Sequence, residues 1–85
     1  MLPIININMT SGSLDDCTTY GYYATANASP LVNKPSAVGQ YGFWLTFGYA
    51  LNQRFYQVYV DMSNYHFFGR RFLGTVWTDW TQFTT

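Results

Sequence analysis

The chain has 85 residues, four Lys+Arg against four Asp+Glu, one His and a formal net charge of zero, with 48% hydrophobic, 21% aromatic and only 9% charged residues. It lacks the basic surplus with which nucleic-acid binders displace counterions from phosphates, and it lacks the low hydrophobicity and high charge of disordered chains. The most apolar stretch, Tyr41 to Leu51, is shorter than the roughly 18 residues of a membrane helix and is broken by Gly42, Thr46 and Gly48, so neither a nucleic-acid partner nor membrane insertion is expected.

Met1-Leu2-Pro3-Ile4 lacks the basic start of a signal peptide. The expectation is a soluble, ordered chain that folds as one domain. Cys17 is the single cysteine, so no internal disulfide supports the core. Aromatic side chains, each able to bury roughly 150–250 Å², must supply much of the buried area. So small a core cannot hold them all, and some are expected at the surface against another chain or a ligand.

Ile5, Ile7 and Met9 alternate with Asn6 and Asn8, which predicts a short half-exposed strand. Residues 1–12 read as this strand and a linker. Ser13 to Thr18 reads as one short helical turn, capped by Ser13, with Asp15 and Asp16 at the favourable end of its dipole. Thr19 to Thr25 is β-prone, and Ala26 to Gln40 collects Asn, Ser, Pro, Lys and Gly as a long surface loop.

Tyr41 to Tyr49 gives the clearest strand, with Tyr41, Phe43, Leu45, Phe47 and Tyr49 on one face and Gly42, Trp44, Thr46 and Gly48 on the other. Arg54 to Val60 follows, with Tyr56, Val58 and Val60 opposite Phe55, Gln57 and Tyr59. Asp61 to Asn64 carries turn residues, Tyr65 to Phe72 is the next strand, and Gly74 marks a turn. Thr75 to Phe83, with Trp77 and Trp80, closes the chain. Short connections favour antiparallel neighbours. The predicted fold is mainly β: a small antiparallel sheet of about five strands with one short N-terminal helix.

Catalysis is not expected. His66 and Cys17 are the lone imidazole and thiol, and nothing in the sequence brings them together with a third orienting group. No cluster has zinc-ligand spacing, no metal or cofactor is expected, and Lys34 has no phosphate-loop context. Asp15, Asp16, Asp61 and Asp79 form no pair flanked as in a glycosidase. Binding suits the composition better. Asn, Gln, Thr, Ser and Tyr supply neutral hydrogen-bonding groups beside flat aromatic faces, a combination that fits sugar rings and equally fits a β core with a polar surface.

Short motifs in order add a resemblance. Leu14-Asp-Asp-Cys-Thr-Thr-Tyr-Gly-Tyr-Tyr23, Asn33-Lys-Pro35, Tyr41-Gly-Phe-Trp-Leu-Thr-Phe47, Gln57-Val-Tyr-Val60, Phe68-Gly-Arg70 and Gly74-Thr-Val-Trp-Thr-Asp-Trp80 together resemble the knob domain of phage tail fibres and R-type pyocin fibres. The match runs from about Leu14 to Phe83, so residues 13–85 are similar to that knob. It departs at Cys17, where an aliphatic residue is usual, and at Phe72-Leu73, which places apolar surface in a normally polar turn and hints at a neighbouring chain. The start of the match close to the start of the chain suits an excised piece or a short fibre tip.

The resemblance implies a trimer of identical subunits in a virion tail fibre or baseplate, facing a bacterial surface saccharide during host adsorption. The alternatives are a knob that only trimerises and spaces, or an adhesin outside any virus. The structural signature carried over is Asp16, Gly21, Tyr23, Gln57, Tyr59, Trp77 and Trp80, with the two tryptophans packing over the sheet's end. The ligand-binding candidates are Trp44, Asn64, Tyr65, His66, Arg70 and Arg71. Arg70 is expected to pair with Asp79 or to stack on one of those indoles, with Arg71 and His66 flanking it on opposite faces of the strand. Trp44, beside Gly42 and Gly48, is expected to present its indole to a partner.

Overall fold

Alternation along residues 42–61 sorts the side chains of the sheet onto two faces, and the segments that pack over one of them make it the core. The computed structural model describes residues 6–18, 21–49 and 54–84. Its strands are β1 (Asn6–Asn8), β2 (Gly21–Thr25), β3 (Gly42–Tyr49), β4 (Arg54–Asp61), β5 (His66–Phe72) and β6 (Thr81–Gln82). They form a six-stranded sheet in chain order. Strands β2 to β6 pair antiparallel, as the short connections predict. Strand β1 pairs parallel with β2, Asn6 opposite Tyr22, so the predicted N-terminal strand is joined to the sheet. A parallel neighbour cannot be reached by a tight hairpin, and the described part of the connection carries a 3₁₀ turn, Leu14–Asp16, capped by the Ser13 side chain. Ile5 and the start of the predicted Thr19–Thr25 strand lie outside the described residues.

One face of the sheet is covered and the other is bare. Tyr23, Trp44, Thr46, Gln57, Tyr59, Asp61, Phe68 and Arg70 are buried on the covered face. Leu14 and Cys17 cover it from the 3₁₀ turn, and Ala28 and Leu31 cover it from the 26–40 segment. That segment is therefore no simple surface loop: Pro35 is fully buried with Ala28 and Leu31, because small and apolar residues spaced among the polar ones give the segment an inner side. Gly42 leaves room for a neighbour, since a Cβ there would collide with the Tyr59 phenol.

On the opposite face Leu45, Phe47, Tyr56 and Phe67 are each 38–49% exposed. Phe47 and Tyr56 stack across β3 and β4 at 5.9 Å, and Tyr22 meets Phe43 at 5.5 Å. The two faces divide as the alternation predicts, but the expectation for Trp44 is overturned. Its indole is completely buried, stacked between Tyr23 at 5.7 Å and Tyr59 at 5.6 Å. The glycines beside it do not open it to a partner, because the 3₁₀ turn and the 26–40 segment close over that side.

Candidate binding site

Strand β5 lifts Arg70 into the covered face, where the side chain is 4% exposed and Nη1 lies 2.9 Å from Asp15 Oδ1. Arg70 Nε donates to Gln57 Oε1 at 2.8 Å. Gln57 Nε2 in turn donates to the carbonyls of Leu14 at 2.8 Å and Cys17 at 3.2 Å, and Thr46 Oγ1 donates to the same Cys17 carbonyl at 2.8 Å. The guanidinium carbon sits 4.2 Å from the Trp77 ring centroid and 4.5 Å from that of Trp80. Planar, delocalised and weakly hydrated, a guanidinium suits such a stack. Burial pulls the Arg70 pKa down and the Asp15 carboxylate opposes it. The polar centre is thus a clasp that ties the 3₁₀ turn, β3, β4, β5 and the C-terminal segment together.

The expected partner of Arg70 is corrected from Asp79 to Asp15; stacking on indole holds, and it engages both rings. Asp79 is exposed. Of the two aspartates in the 3₁₀ turn, Asp15 carries the ion pair and the signature residue Asp16 is exposed, because only Asp15 faces β5. Asn33, with φ of 62°, completes the arrangement. Its Nδ2 donates to Ser13 Oγ at 2.9 Å and Asp15 Oδ2 at 3.0 Å, and its carbonyl accepts from Trp80 Nε1 at 2.9 Å. Asn is among the few residues that adopt this left-handed backbone readily, a signal that could have marked Asn33 from sequence.

Beside the clasp opens a cleft of about 530 Å³, its lining including Lys34, Thr75, Val76, Trp77, Asp79 and Trp80. Both indoles are half-buried. Gly74, with φ of 97°, makes the predicted turn that carries Thr75 and Val76 to the rim.

The remaining candidates fall elsewhere. Asn64 and Tyr65 lie in the β4–β5 turn, where Tyr65 is 81% exposed and has φ of 60°. Asp61, expected in the turn, is the last residue of β4 and is fully buried. Its carboxylate accepts from Gly39 N at 3.2 Å, Ser63 N at 3.1 Å and Asn64 Nδ2 at 2.9 Å. His66 opens β5, half-buried and edge-on to Phe68 at 6.2 Å. It shares strand parity with Arg70, while Arg71 points to the bare face and is exposed. Four residue steps of strand, roughly 13 Å, separate His66 from Arg70, and Asn64 and Tyr65 lie farther off in the turn, so the Asn64–Tyr65–His66 group and the Arg70 clasp do not form one site.

Cys17 Sγ lies 3.4 Å from Met9 Sδ. Burial pushes its thiol pKa up and outweighs the lowering contact with Trp44. No group of three His, Cys, Asp or Glu among the described residues is placed to hold a metal ion.

The whole chain superposes on a solved structure of a C-terminal fragment of the R1 pyocin fibre of P. aeruginosa, with a TM-score of 0.77 and 18% sequence identity. The likeness covers 100% of this chain and 22% of that one, so this chain corresponds to about a fifth of that structure's length. No protein-family model and no curated protein matches the sequence. The chain has the fold of a pyocin-fibre module.

Proposed function

We propose that the chain is a module of a phage-type or pyocin-type tail fibre, part of a virion or similar particle, that recognises a bacterial surface saccharide during adsorption. The observation that carries this reading is the likeness of the whole given chain to about a fifth of a solved pyocin-fibre fragment, joined to the order of short motifs that ends in Gly74-Thr-Val-Trp-Thr-Asp-Trp80. The module binds without transforming its ligand, and it needs no metal or cofactor to do so.

Identical subunits pack through the bare face of the sheet, as a trimer. Support comes from four large apolar side chains there, each at least 38% exposed, on a surface where Arg71 is the charged member among the described side chains of β3 to β5. Monomers seldom leave a patch beyond roughly 300–600 Å² open, and lasting subunit interfaces resemble a core cut in half.

A second reading has a specific observation behind it. Trp77, Trp80 and Arg70 are engaged in one another and in Asp15, so the signature ending holds the fold, and a knob that trimerises and spaces needs no more. Adsorption separates the two. Purified chain that competes with fibre-bearing particles for host cells supports recognition; chain that assembles yet never competes supports the spacer.

A further inference from the structure

We infer that the cleft between residues 33–34 and 75–80 is where the saccharide sits, and that it selects neutral over acidic sugars; this rests on the glycan reading above. The polar groups lining this cleft divide sharply into engaged and free. Arg70 is tied to Asp15 through Nη1 and to Gln57 through Nε beneath the two indoles; its Nη2 has no hydrogen-bond partner among the described residues but is buried, so the guanidinium charge is paired and not presented to an incoming anion. Lys34 Nζ donates to the carbonyls of Leu31 at 2.8 Å and Ser29 at 3.4 Å. Asp79 is exposed and makes no hydrogen bond or ion pair among the described residues. Asp79 is therefore the rim charge with no hydrogen-bonded partner among the described residues, whereas the half-buried Lys34 ammonium is turned onto two backbone carbonyls. A carboxylate accepts two hydroxyl hydrogens side by side, the pattern that vicinal sugar hydroxyls offer, and it repels a carboxylated or phosphorylated glycan. The exposed Thr75 hydroxyl adds a donor and acceptor, and the open parts of Trp77 and Trp80 add flat apolar surface for the C–H face of a pyranose ring.

Neighbouring hollows fit less well. One beside Tyr56, Val58, Gly69, Arg71 and Phe83 borders the cleft at Asp79, and its bare-face side is where the proposed subunits pack. Another, lined by Asn27, Ser29, Val38 and Gln40, has no aromatic ring. The exposed Tyr65 offers a ring, but it lines none of these three hollows.

The test is an array of purified bacterial surface polysaccharides, neutral and acidic, probed with the full chain. The expected result is binding to neutral members that is unchanged from low to high salt, since no net charge attraction drives it. Asp79→Ala combined with Thr75→Ala should weaken that binding by about tenfold or more with the melting curve intact, and Tyr65→Ala should leave it unchanged. Independently of any variant, indole N–H resonances of Trp77 and Trp80 should shift when the best-bound polysaccharide is added, while that of the buried Trp44 stays still. Binding confined to acidic members, or binding lost in Tyr65→Ala and kept in the cleft pair, overturns the cleft and leaves glycan recognition standing. Silence across the whole array overturns both.

Discussion

Arg70 and Asp15 meet at 2.9 Å on the covered face of the sheet, joining the fifth strand to a turn near the start of the chain. The pair is lopsided, with Arg70 4% exposed and Asp15 41% exposed. The carboxylate end is screened by solvent, and most of the value of the contact lies at the guanidinium, with Gln57 and the two indoles.

Arg70→Ala leaves Gln57 without its donor and both rings without their cation, so it should cost about 3 kcal/mol or more. Arg70→Lys keeps the charge but has neither the plane that stacks nor the Nε that reaches Gln57, and should lose about 2 kcal/mol. Urea unfolding midpoints measure both. A lysine variant as stable as the parent would mean that charge alone holds the clasp.

Trp44 is fully buried between Tyr23 and Tyr59. Trp44→Ala should cost about 3–5 kcal/mol, and Trp44→Phe, which keeps a ring in the stack, should cost less. Thermal melts of the two variants check the order. Were Trp44 a contact residue, both variants would melt like the parent and lose partner binding instead.

The Tyr59 hydroxyl is buried without a hydrogen-bond partner among the described residues. Burial first, and the nearby Asp61 second, push its pKa up to about 12. A raised phenol pKa means that the folded state holds the proton more tightly than the unfolded one. Its contribution to stability is therefore complete below pH 10 and is lost as the pH climbs from about 10 to about 12, a fall of up to about 3 kcal/mol. Tyr59→Phe removes both the orphaned hydroxyl and this sensitivity, and should raise stability at neutral pH by about 1 kcal/mol. Melting temperature against pH for the two proteins measures it; parallel curves through that alkaline window would contradict the assignment.

Much of the sheet was legible because period-2 alternation reports strands directly, and β3, β4 and β5 fall within a residue or so of where it puts them. What alternation cannot report is which face is inside. The row of Tyr41, Phe43, Leu45 and Phe47 carries more apolar side chains, yet it is the glycine-spaced Gly42-Trp44-Thr46 row that is buried. The deciding element is the 26–40 segment, whose inner side rests on isolated residues, Ala28, Leu31 and Pro35, that follow no period. The clasp was half legible: Arg70 with the tryptophans could be taken from the motif order, whereas Asp15 and Gln57 reach it from the 3₁₀ turn and β4, and nothing in the spacing joins those segments. The parallel placement of β1 escaped for the same reason, since pairing direction is set by the path of the connection and not by the strand's own residues.

Self-association through the bare face is the central physical claim of the fibre reading, and sedimentation equilibrium of the purified chain tests it most directly. The account predicts about 29 kDa, three times the 9.8 kDa of one chain. It also predicts dissociation when Phe47→Lys and Leu45→Lys together place charge on that face. A monodisperse 9.8 kDa species at every concentration, unchanged by those lysines, would contradict it.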